Sequence, residues 1–200
     1  MISKEVFEKM AKKYGDVGSW AVWEDVGDKP KSNMGAMNIF DLDKNPNLLN
    51  TLNNQVIMVG LNFSRPLIPS DPFKNFHDLN PRAQDFKIRY AFKNTEYYGA
   101  WMTDVIKYKE EVDSNKLLKE IRNDFNFIKE NIESFRKELS ELGAQRPLIL
   151  AFGVETYKLL KAHLNTNEYS CLVQLTHYSH QISKENYKLN VEEQLKCALR

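Results

Sequence analysis

Gln55-Val56-Ile57-Met58-Val59-Gly60-Leu61-Asn62-Phe63-Ser64 is the stretch on which the fold turns. Its first six residues form a short apolar run closed by a glycine. Runs of this length suit a strand buried on both faces of a parallel sheet, where no polar side is needed. The polar segment behind it, residues 61–66, then reads as a loop at the strand's carboxyl end.

Three more segments repeat the pattern. Residues 99–106 (GAWMTDVI) read as a second buried strand ending near Asp104. Residues 146–153 (RPLILAFG) read as a third, with Gly153 at its end. Residues 169–175 read as a fourth, followed by Thr176-His177-Tyr178-Ser179-His180. Helical patterns lie between them. Residues 82–93 suit a helix. Residues 114–142 carry Leu117, Leu118, Ile121, Phe125, Ile128, Ile132, Phe135 and Leu139 at helical spacing, with Ser114 or Asn115 to cap and Gly143 to stop. That pattern also suits two helices joined near residues 123–126. Residues 154–164 and 184–199 supply two more helices. Strand and helix therefore alternate, which predicts a mostly parallel four-stranded sheet with helices on both faces, a three-layer α/β/α domain.

At the amino end, residues 2–14 read as a helix with Val6, Phe7, Met10 and Tyr14 near one face. Residues 19–23 (SWAVW) read as a short strand or an extended packing segment, and residues 24–47 as loop. The expectation is one domain over residues 1–200, with residues 1–50 as a helix and loop extension packed on it.

The bulk composition narrows the class. The chain has 200 residues, 42% hydrophobic and 28% charged, enough for a real core. Its net charge is +1, so composition gives no sign of a protein built chiefly on phosphate contacts. The only cysteines, Cys171 and Cys197, belong to no metal-binding spacing and are expected to be reduced thiols. No apolar run is long enough for a membrane span, and residues 1–14 lack a signal-peptide core. The expectation is a cytoplasmic protein that needs no metal or organic cofactor and is a monomer off the membrane.

In sheets of this kind, ligands bind at the carboxyl ends of the strands. The candidate residues lie there. Gly60 lets backbone approach closely, and Asn62 carries both a donor and an acceptor. Asn62 can orient a water or read a base edge, or it and Ser64 can simply satisfy a turn. His177 and His180 bracket Tyr178 and Ser179, and a histidine can donate to a developing anion or act as acid or base. Residues 66–81 hold four prolines and form a long irregular connection, a common site of function. Within it Phe76 can stack on a flat ligand, while His77 and Asp78 can hydrogen-bond it. Asp104 sits at a strand end as a catalytic or turn-capping carboxylate. Lys107, Lys109, Lys184 and Lys188 read as a solvated face able to meet phosphates. Nucleotide-binding glycine motifs and the GxSxG elbow are absent from the sequence.

The ordered set VGLNFS, GAWMTDVIKY, RPLILAFGVETYKLL and LTHYSHQIS resembles the uracil-DNA glycosylase superfamily over roughly residues 55–183. In that family a first motif of the GQDPYH, GEAPG or GINPG type follows the first core strand, and a second of the HPSP type lies near the carboxyl end. The resemblance implies a parallel four-stranded sheet between helices and a DNA glycosylase-like hydrolase acting in DNA repair by base excision. It implies that Asn62 positions the attacking water and His177 donates to the base oxygen. Gly60, Leu61, Phe63, Ser64, Phe76, His77, Asp104, Ser179 and His180 would contact substrate. Gln181 and Ile182 would form the wedge that fills the vacated stack. The partner would be DNA or a nucleobase-containing ligand. Asn62 stands where the most active branch has Asp, Phe63 where it has Pro, and Tyr178 and His180 where the second motif has Pro. The alternative expectation is therefore a catalytically altered member that binds a nucleobase, nucleotide or nucleic acid without excision.

Overall fold

A computed structural model describes residues 2–25, 27, 29–62, 71–80, 82–107 and 124–199. Among them the chain runs α1 (Lys4–Tyr14), β1 (Ser19–Trp20), a 3-10 turn (Met37–Phe40), α2 (Leu48–Thr51), β2 (Asn53–Asn62), α3 (Phe86–Phe92) and β3 (Ala100–Ile106). It continues through α4 (Phe125–Leu142), β4 (Leu148–Phe152), α5 (Val154–His163), β5 (Cys171–Leu175) and α6 (Lys184–Ala198).

The helix ends follow local chemistry. Ser3 caps α1 by accepting from the Val6 N–H at 3.2 Å. Asp124 caps α4 by accepting from Phe127 N–H at 2.9 Å, so a helix begins where the sequence allowed a join. The expected start near Ser114 or Asn115 lies outside the described residues. Gly143 ends α4 in the left-handed region, φ 76°, with its N–H on the last-turn carbonyls.

The sheet has five strands, in the order β1-β3-β2-β4-β5, not the four expected from sequence. The extra strand is β1. Ser19 and Trp20 pair antiparallel with Met102 and Trp101, making the sheet mixed. Of the two readings of residues 19–23, short strand or extended packing segment, pairing with β3 makes Ser19–Trp20 a strand. The other four strands are parallel. β3 also runs two residues beyond Asp104, to Ile106.

Side chains alternate between two cores. Ile57, Val59, Trp101, Val105, Ile149 and Ala151 join Phe7 and Met10 of α1 and Ile132 and Phe135 of α4. Val56, Met58, Met102, Leu150 and Phe152 join Ile88 and Phe92 of α3 and Tyr187 and Val191 of α6. The N-terminal segment is thus built in twice, α1 in the first core and β1 in the sheet. No helix among the described residues is long and apolar enough to cross a membrane.

The strand order sets a crevice. β2 leads to β3 on one side of it, whereas β4 leads to β5 on the other. The carboxyl ends of β2 and β4 are therefore a topological switch point, where open α/β sheets receive ligands.

Candidate functional site

Period-two alternation decides which residues share the crevice. Gly60 and Asn62 continue the face of Val56 and Met58. Asp104 continues that of Ala100 and Met102, and Gly60 is the partner of Asp104 across the strand pair. Phe152, at the end of β4, belongs to the same face. Asn62 stands one pairing step further out, opposite Ile106. Leu61 points to the other side, into a small cluster with Ile106, Phe127 and Ile128. Phe63 and Ser64 lie outside the described residues.

Asp104 is buried, with 5% of its surface exposed. Its carboxyl lies over Gly60, where an added Cβ would come within 2.1 Å of Oδ1. Asn75 Nδ2 reaches Oδ2 at 3.4 Å. Burial pushes the Asp104 pKa up to about 7. The Lys107 ammonium and the Asn75 contact oppose that shift, while Glu138 and Asp85 add to it.

Beneath this carboxyl runs a buried ionic chain that includes Lys107, which the sequence reading put on a solvated face; its ammonium is buried here because Glu138 and a carbonyl receive it, and Lys109 lies outside the described residues. Lys107 Nζ donates to the Asp104 carbonyl at 2.8 Å and lies 2.7 Å from Glu138 Oε2. Trp101 Nε1 donates to Glu138 Oε1 at 2.7 Å. The signal for Glu138 was in the sequence: it falls three residues after Phe135 and four before Leu142, on the apolar stripe of α4.

The proline-rich connection is tied to the N-terminal segment. Phe73 N–H donates to the Gly15 carbonyl, Ser19 Oγ to the Phe73 carbonyl, and Asn75 Nδ2 to the Val17 carbonyl, at 2.6–2.7 Å. Phe76 is held with φ 64°, a conformation rare for a side chain of its size, and its N–H donates to Asn75 Oδ1. Its ring is buried and meets Tyr178 edge-on at 6.4 Å. His77 takes a different place. Its ring packs against Trp23 and Phe40 with 1% exposed, and burial pushes its pKa down to about 3. The structure thus gives His77 a core position, while its neighbour Phe76 joins the Tyr178 cluster.

His177 follows β5 and leans on Gly153. A Cβ on Gly153, whose φ is 91°, would touch the imidazole at 3.5 Å. The N–H of Gly153 donates to the Leu175 carbonyl at 2.8 Å, which draws this loop to the switch point. Tyr178 stacks on His177 at 4.4 Å and meets Phe152 edge-on at 5.4 Å. Ser179 N–H donates to His177 Nδ1 at 3.2 Å, and Ser179 Oγ lies 2.8 Å from the same nitrogen. A backbone N–H can only donate, so Nδ1 is the acceptor and the proton sits on Nε2. Burial pushes the His177 pKa down to about 4, so the ring is neutral at pH 7. The result is an uncharged imidazole whose Nε2–H is the free donor face of the tautomer.

The rest of the loop is outward. His180 is exposed, and its carbonyl accepts from Lys87 Nζ at 2.7 Å. Gln181 is exposed, and Ile182 is half-buried against the α3–α6 core. Lys184 and Lys188 stand over the Tyr90 ring at 4.6 and 5.8 Å. Two open surface cavities, of about 450 and 430 Å³, lie elsewhere, one beside Tyr97 and Leu199 and the other beside Tyr157 and Gln194. Among the described residues no group of three or more His, Cys, Asp or Glu is placed to hold a metal ion.

In comparison with known proteins, no family model, no curated protein and no solved structure matches the chain.

Proposed function

We propose that the chain is a uracil-DNA glycosylase-like hydrolase of three-layer α/β/α build, cleaving the N-glycosidic bond of uracil or another modified base flipped into the switch-point crevice. The observation that carries this reading is the neutral His177, with its proton on Nε2, resting on Gly153. Loss of a base leaves an electron pair on it, and the negative charge gathers on a base oxygen. A neutral N–H donor fixed beforehand stabilises that charge without surrendering a proton. Asn62 orients water toward the sugar carbon as the C–N bond breaks. Tyr178, backed by the buried Phe76 ring, provides aromatic surface for a flat ring, and Asp104 lies at the floor. Flipping costs a few kcal/mol, offset by stacking and pocket hydrogen bonds. Gln181 and Ile182 then face the duplex as the wedge, with Lys184 and Lys188 near the phosphates.

The test is excision from single- and double-stranded DNA carrying one uracil, hypoxanthine or xanthine. Abasic sites should form, and Asn62→Ala or His177→Ala should lower the rate by about 10²–10³-fold, the usual loss for a transition-state donor. No excision from any of the three overturns the hydrolase.

A second reading has its own observation. The Tyr178 ring contacts His177, Phe152 and Phe76 together, so an aromatic ring of the chain itself occupies the aromatic surface. A protein that binds a nucleobase, nucleotide or nucleic acid without excision fits that arrangement. Saturable binding with no base released supports it.

A further inference from the structure

The hydrogen bonds inside the His177 loop span two or three residues. His180 N–H donates to the His177 carbonyl at 2.9 Å, closing a turn with Tyr178 and Ser179 at its corners. The Ser179 N–H, inside that turn, is the donor on His177 Nδ1. Ile182 N–H donates to the His180 carbonyl at 2.8 Å. Ser179 and His180 are exposed, so water competes for the polar groups of the turn. A short polar turn at the surface keeps one geometry best when it is tied to a rigid element.

Lys87 supplies such a tie. It lies in the first turn of α3 with 3% of its surface exposed, and its Nζ donates to the His180 carbonyl at 2.7 Å. Among the described residues its ammonium meets no carboxylate. Burial lowers its pKa. A cation is thus held away from water at a cost to stability, and the group it serves is a main-chain carbonyl. Local costs of this kind are kept where position matters to function. The helix behind Lys87 is firmly seated, with Ile88, Ala91 and Phe92 in the core shared with α6.

We propose that Lys87 is a positioning residue for excision: through the His180 carbonyl it fixes the His177 turn, and so holds the Ser179 N–H on Nδ1 and the proton on Nε2. The path is continuous. Lys87 and Ile182 both bind the His180 carbonyl, which sets the plane of the peptide that follows it. The N–H of His180 closes the turn on the His177 carbonyl, and the closed turn aims the Ser179 N–H at the ring. The charge matters because a hydrogen bond from an ionised donor is roughly twice as strong as a neutral one. The inference rests on the proposed role of His177 and adds a residue that acts through the loop, without touching the base.

The experiment uses Lys87→Met, which keeps the length of the stem and removes the charge with its donors. Removing a buried cation that has no carboxylate partner should leave stability unchanged or raise it, whereas a merely structural Lys87 predicts a loss. Ile88→Val is the control, because it hollows the same helix without touching His180. Three readouts are compared: nitrogen-15 shifts of the His177 ring in the free protein at pH 7, single-turnover excision of uracil from DNA at varied DNA concentration, and the urea midpoint. In Lys87→Met part of the His177 population should carry its proton on Nδ1. Its maximal excision rate should fall by about 10–10²-fold, the scale of a small misplacement, at an unchanged half-saturating DNA concentration and with no fall in urea midpoint. Ile88→Val should lower the midpoint and keep both the tautomer and the maximal rate. A wild-type tautomer and rate in Lys87→Met overturns the role of Lys87 and leaves the glycosylase reading standing. A tautomer change of the same size in Ile88→Val does likewise. Absence of excision by the wild type, with a tautomer change confined to Lys87→Met, overturns the hydrolase and supports Lys87 as the residue that sets His177. Absence of both excision and any tautomer change overturns both.

Discussion

Gly60 and Asp104 are cross-strand partners, and the carboxyl of Asp104 lies where a side chain on Gly60 would be, 2.1 Å from an added Cβ. The glycine is required by a neighbour's side chain, since it is not among the residues held at positive φ. Gly60→Ala should therefore cost about 1–3 kcal/mol, the range for overpacking a core. In the double variant with Asp104→Ala most of that loss should vanish. Urea unfolding of the four proteins in the cycle measures the coupling, and additive losses would refute the steric account.

Ser179 sets the tautomer of His177 through its main chain. Ser179→Ala keeps the N–H donor and should leave the proton on Nε2. Ser179→Pro removes the donor and should let Nδ1 carry the proton in part of the population. Nitrogen-15 shifts of the His177 ring at pH 7 report the tautomer directly. An unchanged tautomer in the proline variant would mean that the Ser179 amide does not govern it.

Lys107 and Glu138 form an ion pair with 3% and 0% of their side chains exposed. Breaking it from one side strands a charge. Glu138→Leu should cost about 3–5 kcal/mol, and the double change with Lys107→Met should restore much of that loss. Thermal or urea unfolding checks the order of stabilities.

Acid and alkali act on different groups. His77 falls from 6.5 to about 3 on folding, so its contribution is full above pH 6.5 and is lost as pH drops toward 3. His177 acts the same way between 6.5 and about 4. Asp104 rises from 3.8 to about 7, so its contribution is full below pH 3.8 and is lost as pH climbs toward 7. Each proton is worth up to about 1.4 kcal/mol per pH unit. Between pH 4 and 6.5 the histidines outnumber the carboxyl, and stability should rise with pH. Asp104→Asn should steepen that rise by up to about 1.4 kcal/mol per unit, read from urea midpoints across the range. An unchanged slope would show that Asp104 keeps an ordinary pKa.

Much of the fold could be read locally. Val56 to Val59 and Ile149 to Phe152 are apolar runs, and their neighbours need not be known to see that both faces are buried. Phe7, Met10 and Tyr14 recur at helical spacing, and Gly143 marks a helix end by its backbone freedom. At the sheet's fifth strand the local pattern left two readings open, a short strand or an extended packing segment. Ser19 and Trp20 are a strand because of Met102 and Trp101, far along the chain.

The candidate site divides along the same line. The sequence alone placed Gly60, Asn62, Asp104 and His177 at strand ends, because apolar runs and their terminators are properties of adjacent residues. Only the tertiary structure decided what those groups can do. Phe76 and His77 are consecutive, yet one ring meets Tyr178 and the other packs against Trp23 and Phe40. Asp104 became a group titrating near neutrality because folding buries it and brings the charges of Glu138 and Asp85 to bear on it, outweighing Lys107 and Asn75, which pull the other way. The physical reason is that desolvation and charge act through space, so the chemistry of a polar side chain is fixed by neighbours that sequence order does not reveal.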